Sequence, residues 1–228
     1  MKFINKKVIL FDLDGTLIDS APDLAHSVNY MLKKMNRKTF SESTIRSWVG
    51  NGAEVLVKRA LSGTTHIDEN IDPKLVEKAL TVFLHFYAEN LAISTKTYPH
   101  VKSTLEALKK DGYRLAIITN KPFDFIAPIL KGLELDMLFE HCLGGDSLSV
   151  KKPDPKPLLH MCKELNVTVE ESVMVGDSKN DIKAANSASM QSIGVSYGYN
   201  YDEPIATYHP DIVLNDFKDI LECFGALK

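Results

Sequence analysis

Several stretches of this chain set acids, hydroxyls or amides directly behind an apolar run. In VILFDLDGTLIDS, residues 8–20, the run Val8-Ile9-Leu10-Phe11 leads straight into Asp12, and Asp14 follows two residues later. Leu115 to Ile118 leads into Thr119 and Asn120. Ser172 to Val175 leads into Gly176 and Asp177, with Asp181 a helical turn further on. Lys151 and Lys152 stand in a loop before Pro153 and Pro155. Carboxylates gathered in one place repel each other and need a cation. An all-oxygen set without His or Cys pairs points to Mg²⁺ or another hard ion. Hydroxyl and amide donors with a lysine suit phosphoryl oxygens, whose transfer depends on positioning and charge neutralisation. Two acids at i and i+2 can divide the labour. One, ionised at neutral pH, can attack phosphorus, and the other can protonate the leaving oxygen and later deprotonate water.

These residues act together only if the fold gathers them. Residues 8–12 read as a strand, apolar throughout and so buried on both faces. Asp14-Gly15 is turn chemistry. From Asp19-Ser20 to about Leu91 the pattern is helical, with no convincing strand. Leu24, Val28, Met31, Leu32 and Met35 share one helical face, with Ser20 as N-cap and Pro22 in the first turn. A short helix holds Ile45, Trp48 and Val49 and stops at Gly50-Asn51-Gly52. Another carries Val55, Leu56 and Ala60 to Gly63. A longer one starts near Pro73 and runs past Phe83 and Tyr87. From Pro99 onward strands and helices alternate. Strands are expected at 115–118, 141–143, 172–175, 192–195 and 211–214. Helices are expected at about 101–111, 122–132, after Pro157, around Ile182 and Ala185, and at 217–224. Such alternation means βαβ units and a parallel sheet. Right-handed crossovers then make it an open, Rossmann-like α/β sheet.

The expected architecture is an α/β core over residues 1–17 and 95–228, with a helical insert over 18–94. Ligands of open α/β sheets bind beyond the carboxyl ends of the strands. The insert enters just there, so it would lie as a lid over the site, with Asn51 and Gly52, in a helix-breaking loop, facing substrate. Trp48 reads as part of the core of the insert, and Lys151 as a solvated charge.

The totals agree with a globular enzyme. The chain has 228 residues, 44% apolar and 25% charged, with a formal net charge of −3. No basic excess suggests nucleic acid. Three well-separated cysteines support neither a disulfide framework nor a zinc site, and the seven histidines show no metal-ligand spacing. Asp12 cuts the first apolar run short of a signal-peptide core, and no window is long enough to span a membrane. A cytoplasmic protein, monomeric or homodimeric, acting on a small molecule, is expected.

In their order and spacing the motifs resemble those of the haloacid dehalogenase-like phosphohydrolases. VILFDLDGTLIDS resembles the DxDGT motif, and Ile118-Thr119-Asn120 the strand ending in Thr or Ser. Lys152-Pro153-Asp154-Pro155 resembles the KPxP lysine motif, and Val175 to Asp181 the GDxxxD acidic motif. The resemblance implies Asp12 as nucleophile, forming an aspartyl phosphate, and Asp14 as general acid and base. It implies that Asp12, the main-chain carbonyl of Asp14 and Asp177 hold Mg²⁺. Thr119 and Lys152 would bind the phosphoryl group; Asn120 is a further candidate by its amide and its place at the strand end, not by the resemblance. Asp181 would support the metal shell or orient Lys152, and the helical insert would be the substrate-selecting cap. Within the family, Trp48 to Ala53 with Leu56 to Leu61 resembles the cap of bacterial phosphoglycolate phosphatases, which hydrolyse 2-phosphoglycolate to glycolate and phosphate. Alternatives are a phosphatase of pyrophosphate, nucleotides or sugar phosphates, or a β-phosphoglucomutase-like phosphomutase. A dehalogenase would not need Asp14. A response-regulator receiver would lack the helical insert.

Overall fold

A computed structural model describes residues 3–225 and residue 227. Strand β1, Val8–Phe11, is followed by the two-residue β2, Ile18–Asp19, and by helices α1, Ala21–Lys34, α2, Glu42–Arg46, α3, Ala53–Ser62, and α4, Pro73–Glu89. Strand β3, Lys96–Thr97, leads to α5, Val101–Lys110, β4, Arg114–Ile118, α6, Ile126–Gly132, and β5, His141–Leu143. The rest is α7, Lys156–Glu164, β6, Ser172–Gly176, α8, Lys179–Ser187, β7, Gln191–Val195, β8, Ile212–Leu214, and α9, Ile220–Cys223.

Six strands form one sheet in the order β5-β4-β1-β6-β7-β8, with every pairing parallel. β1 lies in the middle, between β4 and β6, and its residues are fully buried. That explains its unbroken apolar sequence. Alternate side chains leave opposite faces, and each face finds its own helices. Val8 and Leu10 pack with Leu158 and Met161 of α7 and with Ala184 and Ala185 of α8. Ile9 and Phe11 join Leu105 of α5, Ile129 of α6 and Ile220 of α9. Burying each large side chain contributes roughly 1.5–3 kcal/mol, so the mount for Asp12 is rigid.

The four helices α1–α4 stand between β2 and β3, as the helical periods after Asp19 require. Their inward faces, including Leu24, Val28, Leu56, Val57, Phe83 and Tyr87, are buried and continuous with the cluster under β1. Trp48 is buried and meets Phe40 edge-on, with ring centroids 5.0 Å apart. The two chain crossings into and out of this helical segment run side by side: Ile18 pairs with Thr97 and Asp19 with Lys96, antiparallel. This ribbon is absent from the expectation, because two-residue strands carry no periodicity to read. Beside it, the buried carboxylate of Asp23 on α1 accepts from the backbone N–H of Ser94 and Thr95, both at 2.9 Å, and from the Thr95 hydroxyl at 2.6 Å.

Other elements differ in detail. α2 stops at Arg46, ahead of Trp48. The expected helices at 122–132 and 217–224 each open with a 3₁₀ turn, Phe123–Phe125 and Phe217–Asp219. Ser20 does precede α1, but its side chain makes no cap; its hydroxyl donates to Asp14 instead. All three cysteines are free. Among the described residues, no helix is long and apolar enough to cross a membrane.

Truncating Asp23 to Ala strands two backbone donors and a hydroxyl next to the ribbon. We expect Asp23→Ala to lower unfolding free energy by about 2–3 kcal/mol, measured by urea denaturation. A loss below about 0.5 kcal/mol would show that the clamp contributes little.

Candidate active site

The strand ends bring their polar residues together at one edge of the sheet. Asp12 follows β1, and its N–H still bonds the Val175 carbonyl at 2.9 Å, so the nucleophile candidate is held by the last rung of the sheet. Thr119 follows β4 and is buried. Its hydroxyl accepts the Lys121 N–H at 3.2 Å, which leaves its own proton for a ligand. Asp177 follows β6, and Asp181 sits in the first turn of α8.

One oxygen from each of Asp12, Asp177 and Asp181 lies within 4.8 Å of the others, and all three residues are buried. Asp177 accepts from the Thr16 hydroxyl at 2.9 Å and from the Tyr199 N–H at 2.6 Å. The turn at Gly15 presses against it: Gly15 has φ +91°, and a Cβ there would stand 2.3 Å from Asp177 Oδ2. The DG pair is therefore a turn and also the floor of an acid site. Asp181 accepts at Oδ2 from the Ser178 N–H at 3.0 Å and the Ser178 hydroxyl at 2.9 Å. This capping box starts α8 while it fixes the carboxylate.

Lys152 threads between these acids. Its ammonium donates to Asp12 Oδ1 at 2.8 Å, to Asp181 Oδ1 at 2.6 Å, and to the Ile118 carbonyl. Burial alone would lower its pKa, but Asp12 and Asp181 raise it above the ordinary value. Burial pushes the Asp12 carboxyl up to about 7, with Lys152 pulling it down and Asp181 adding to the rise. Asp177 is likewise pushed well up by burial, with the charges of Asp12 and Asp181 adding to it. One lysine does not balance this group. Carboxylates that converge so closely and are costly to ionise together form a donor set that could hold a hard divalent cation.

Asp14 meets a different environment. The Ser20 hydroxyl donates to its Oδ1, and the buried ammonium of Lys121 donates to Oδ1 at 3.0 Å and Oδ2 at 3.1 Å. Leu24, Val49, Gly50, Gly52, Ala53, Leu56, Phe83 and Tyr87 of the helical segment roof a cavity of about 40 Å³. Asp12, Asp14, Thr119, Asn120, Lys121, Lys152 and Asp181 line it from below.

Gly52 therefore faces the cavity. Asn51 is turned aside, and its Oδ1 accepts from the Tyr201 hydroxyl at 2.7 Å. The Asn120 amide donates to the Gly50 carbonyl and the Lys152 carbonyl, both at 2.9 Å. It joins the roof to the lysine loop and has no donor left over. Ser20, Lys121 and Tyr87 escape the sequence reading. Ser20 reads as a helix cap and Tyr87 as one more apolar position on α4. Lys121 carried a usable signal, since it follows the strand-end Thr119-Asn120 directly.

A family profile described as haloacid dehalogenase-like hydrolase matches residues 9–195. The chain belongs to this family. Its match to the family spans the β1, β4 and β6 strand ends that carry the site. Among its relatives, a phosphoglycolate phosphatase of Colwellia psychrerythraea is 54% identical, over 97% of this chain and 98% of that one. A phosphoglycolate phosphatase of Mannheimia succiniciproducens is 45% identical, over 95% and 97%. A solved structure of a predicted phosphoglycolate phosphatase from Haemophilus somnus superposes with a TM-score of 0.89 at 43% identity, covering 96% of this chain and 97% of that one.

The raised Asp12 value has a consequence for stability. In the unfolded chain Asp12 titrates near its ordinary value of 3.8, and in the fold near 7. Folding therefore favours its protonated form. The stability it contributes is fully present below about pH 4 and is lost as pH rises through about 7. A bound divalent cation offsets that loss. We expect Mg²⁺ to raise the melting temperature of metal-free protein little at pH 5 and by several degrees at pH 8. An equal shift at both pH values would contradict this account.

Proposed function

We propose that this chain hydrolyses 2-phosphoglycolate to glycolate and phosphate through an aspartyl phosphate on Asp12, with Mg²⁺ as cofactor. The observation that carries the reading is the division between the two acids. Asp12 is fixed at Oδ1 by Lys152, while its other oxygen has no donor among the described residues. Asp14 is held separately by Ser20 and Lys121. A nucleophile and an acid two residues apart thus sit on independent supports over one cavity.

Asp12 Oδ2 attacks phosphorus as the bond to the ester oxygen breaks. Asp14 gives its proton to that oxygen, and glycolate leaves. Asp14 then takes a proton from water, whose oxygen attacks phosphorus; the bond to Asp12 breaks and phosphate is released. The Thr119 hydroxyl donates to a phosphoryl oxygen, and Lys152 balances charge on Asp12. Asp181 spends both oxygens on Lys152 and Ser178, so we assign it to positioning Lys152. Asp12, Asp177 and the Asp14 carbonyl would hold Mg²⁺, which when bound neutralises the phosphoryl oxygens and the crowded acids.

Residues 18–94 act as the cap in this reading, hinged at the ribbon of β2 and β3. The cavity lies under the apolar side chains of Leu24, Val49, Leu56 and Phe83 of this segment. The names of the relatives support 2-phosphoglycolate in particular. The protein is read as cytoplasmic, as a monomer or homodimer.

Phosphate release with Mg²⁺ from 2-phosphoglycolate, AMP, glucose 6-phosphate and pyrophosphate tests the assignment. 2-Phosphoglycolate should lead in kcat/KM by about tenfold or more. Asp12→Asn should cost about 10³-fold or more in kcat, as expected for the group that forms the intermediate. Isomerisation of β-glucose 1-phosphate faster than phosphate release would instead identify a phosphomutase.

A further inference from the structure

Lys121 and Tyr87 are two buried donors that face the cavity with capacity to spare. The Lys121 side chain is 2% exposed. An ammonium has three N–H donors, and the recorded bonds of Lys121 all go to one carboxylate, that of Asp14. Its Nζ stands 4.8 Å from the centre of the Tyr87 ring. Tyr87 is 1% exposed, and its hydroxyl has no hydrogen-bond partner among the described residues. An unpaired buried hydroxyl costs about 1–3 kcal/mol, so this pair is built to meet an acceptor. Lys152, the other lysine lining the cavity, is committed to Asp12, Asp181 and the Ile118 carbonyl.

We propose that Lys121 and Tyr87 are the specificity residues of the site, donating together to the carboxylate of the substrate. This rests on the reading of the substrate as 2-phosphoglycolate. The carboxylate carbon of that molecule is two bonds from the leaving oxygen. Asp14 must come within about 3 Å of that oxygen to protonate it, and Lys121 Nζ is already 3.0 Å from Asp14. A substrate placed for protonation can therefore set its carboxylate beside Lys121. Leu24, Val49, Leu56, Phe83 and Phe125 also line the cavity, and these apolar side chains cannot solvate a charge. An ester without the carboxylate would leave the Tyr87 hydroxyl unpaired, and the site would reject it.

Isobutyl phosphate has nearly the shape of 2-phosphoglycolate with two methyl groups in place of the carboxylate oxygens. The Mg²⁺-loaded enzyme is assayed on both esters, and glycolate is measured as a competitive inhibitor. Wild type should prefer 2-phosphoglycolate by about 10³-fold or more in kcat/KM. Lys121→Met should reduce that ratio about 100-fold and Tyr87→Phe about tenfold, chiefly through KM. Both should weaken inhibition by glycolate. A role confined to holding Asp14 would lower kcat on both esters equally and leave the ratio unchanged, which would overturn the proposal. Tyr87→Phe keeps the Lys121–Asp14 pair intact, so it decides the matter if Lys121→Met does not fold. A wild type with no preference between the esters would overturn the substrate reading and this site with it. A wild-type preference that survives in both variants would overturn this site alone.

Discussion

Asp12, Asp177 and Asp181 converge in a buried space where three like charges cannot comfortably coexist. Much of the surrounding structure exists to hold them there. Lys152 crosses from the loop before α7 to lie between two of them, and its ammonium is spent on doing so. Ser178 grips Asp181 while starting a helix. The Thr16 hydroxyl and the Tyr199 N–H do the same for Asp177. None of these contacts offsets the burial of the acids, which raises the Asp12 and Asp177 values, with neighbouring carboxylates adding to the rise. The strands hold the acids there nonetheless: their parallel ladders and two-sided burial fix the sheet edge. Stability is concentrated in the sheet so that its edge can remain electrostatically strained.

The second group of charges is more nearly balanced. Asp14 has its own lysine, Lys121 from the loop after β4, and its own hydroxyl, Ser20. Two carboxylates two residues apart therefore experience unlike surroundings. In the proposed reaction that difference, rather than any difference in residue type, would separate the nucleophile from the acid. The chain turn at Gly15 makes the separation possible, because only a residue without a side chain lets the backbone pass so close to Asp177.

The parallel sheet, its strand ends and the helical insert were all legible in the sequence, because each is written in local periodicity or in a run of apolar residues. Asp12, Thr119, Lys152 and Asp177 stood out for the same reason: each follows such a run or precedes a proline pair. What stayed hidden is written in tertiary contacts alone. Ser20 has the residue type and the place of a helix cap, yet its hydroxyl turns to Asp14. Tyr87 fits the apolar face of α4, and only its unpaired hydroxyl sets it apart. The β2–β3 ribbon joins segments far apart in sequence through two residues each. Asn51 and Gly52 are neighbours in one loop, but only the backbone path decides which of them looks into the cavity.

The loop that ends in those two residues also governs access. The Gly50 carbonyl accepts from Asn120 at 2.9 Å and from Asn180 at 3.0 Å. Asn120 is next to Thr119, and Asn180 is next to Asp181. A single carbonyl of the roof is thereby bolted to the loop that carries Thr119 and to the first turn of α8, which carries Asp181. Lifting the roof must release both bolts together. On the reading of this segment as a lid, entry of substrate and escape of product would be tied to the segments that carry Thr119 and Asp181. On that reading the door cannot open without loosening the bench beneath it.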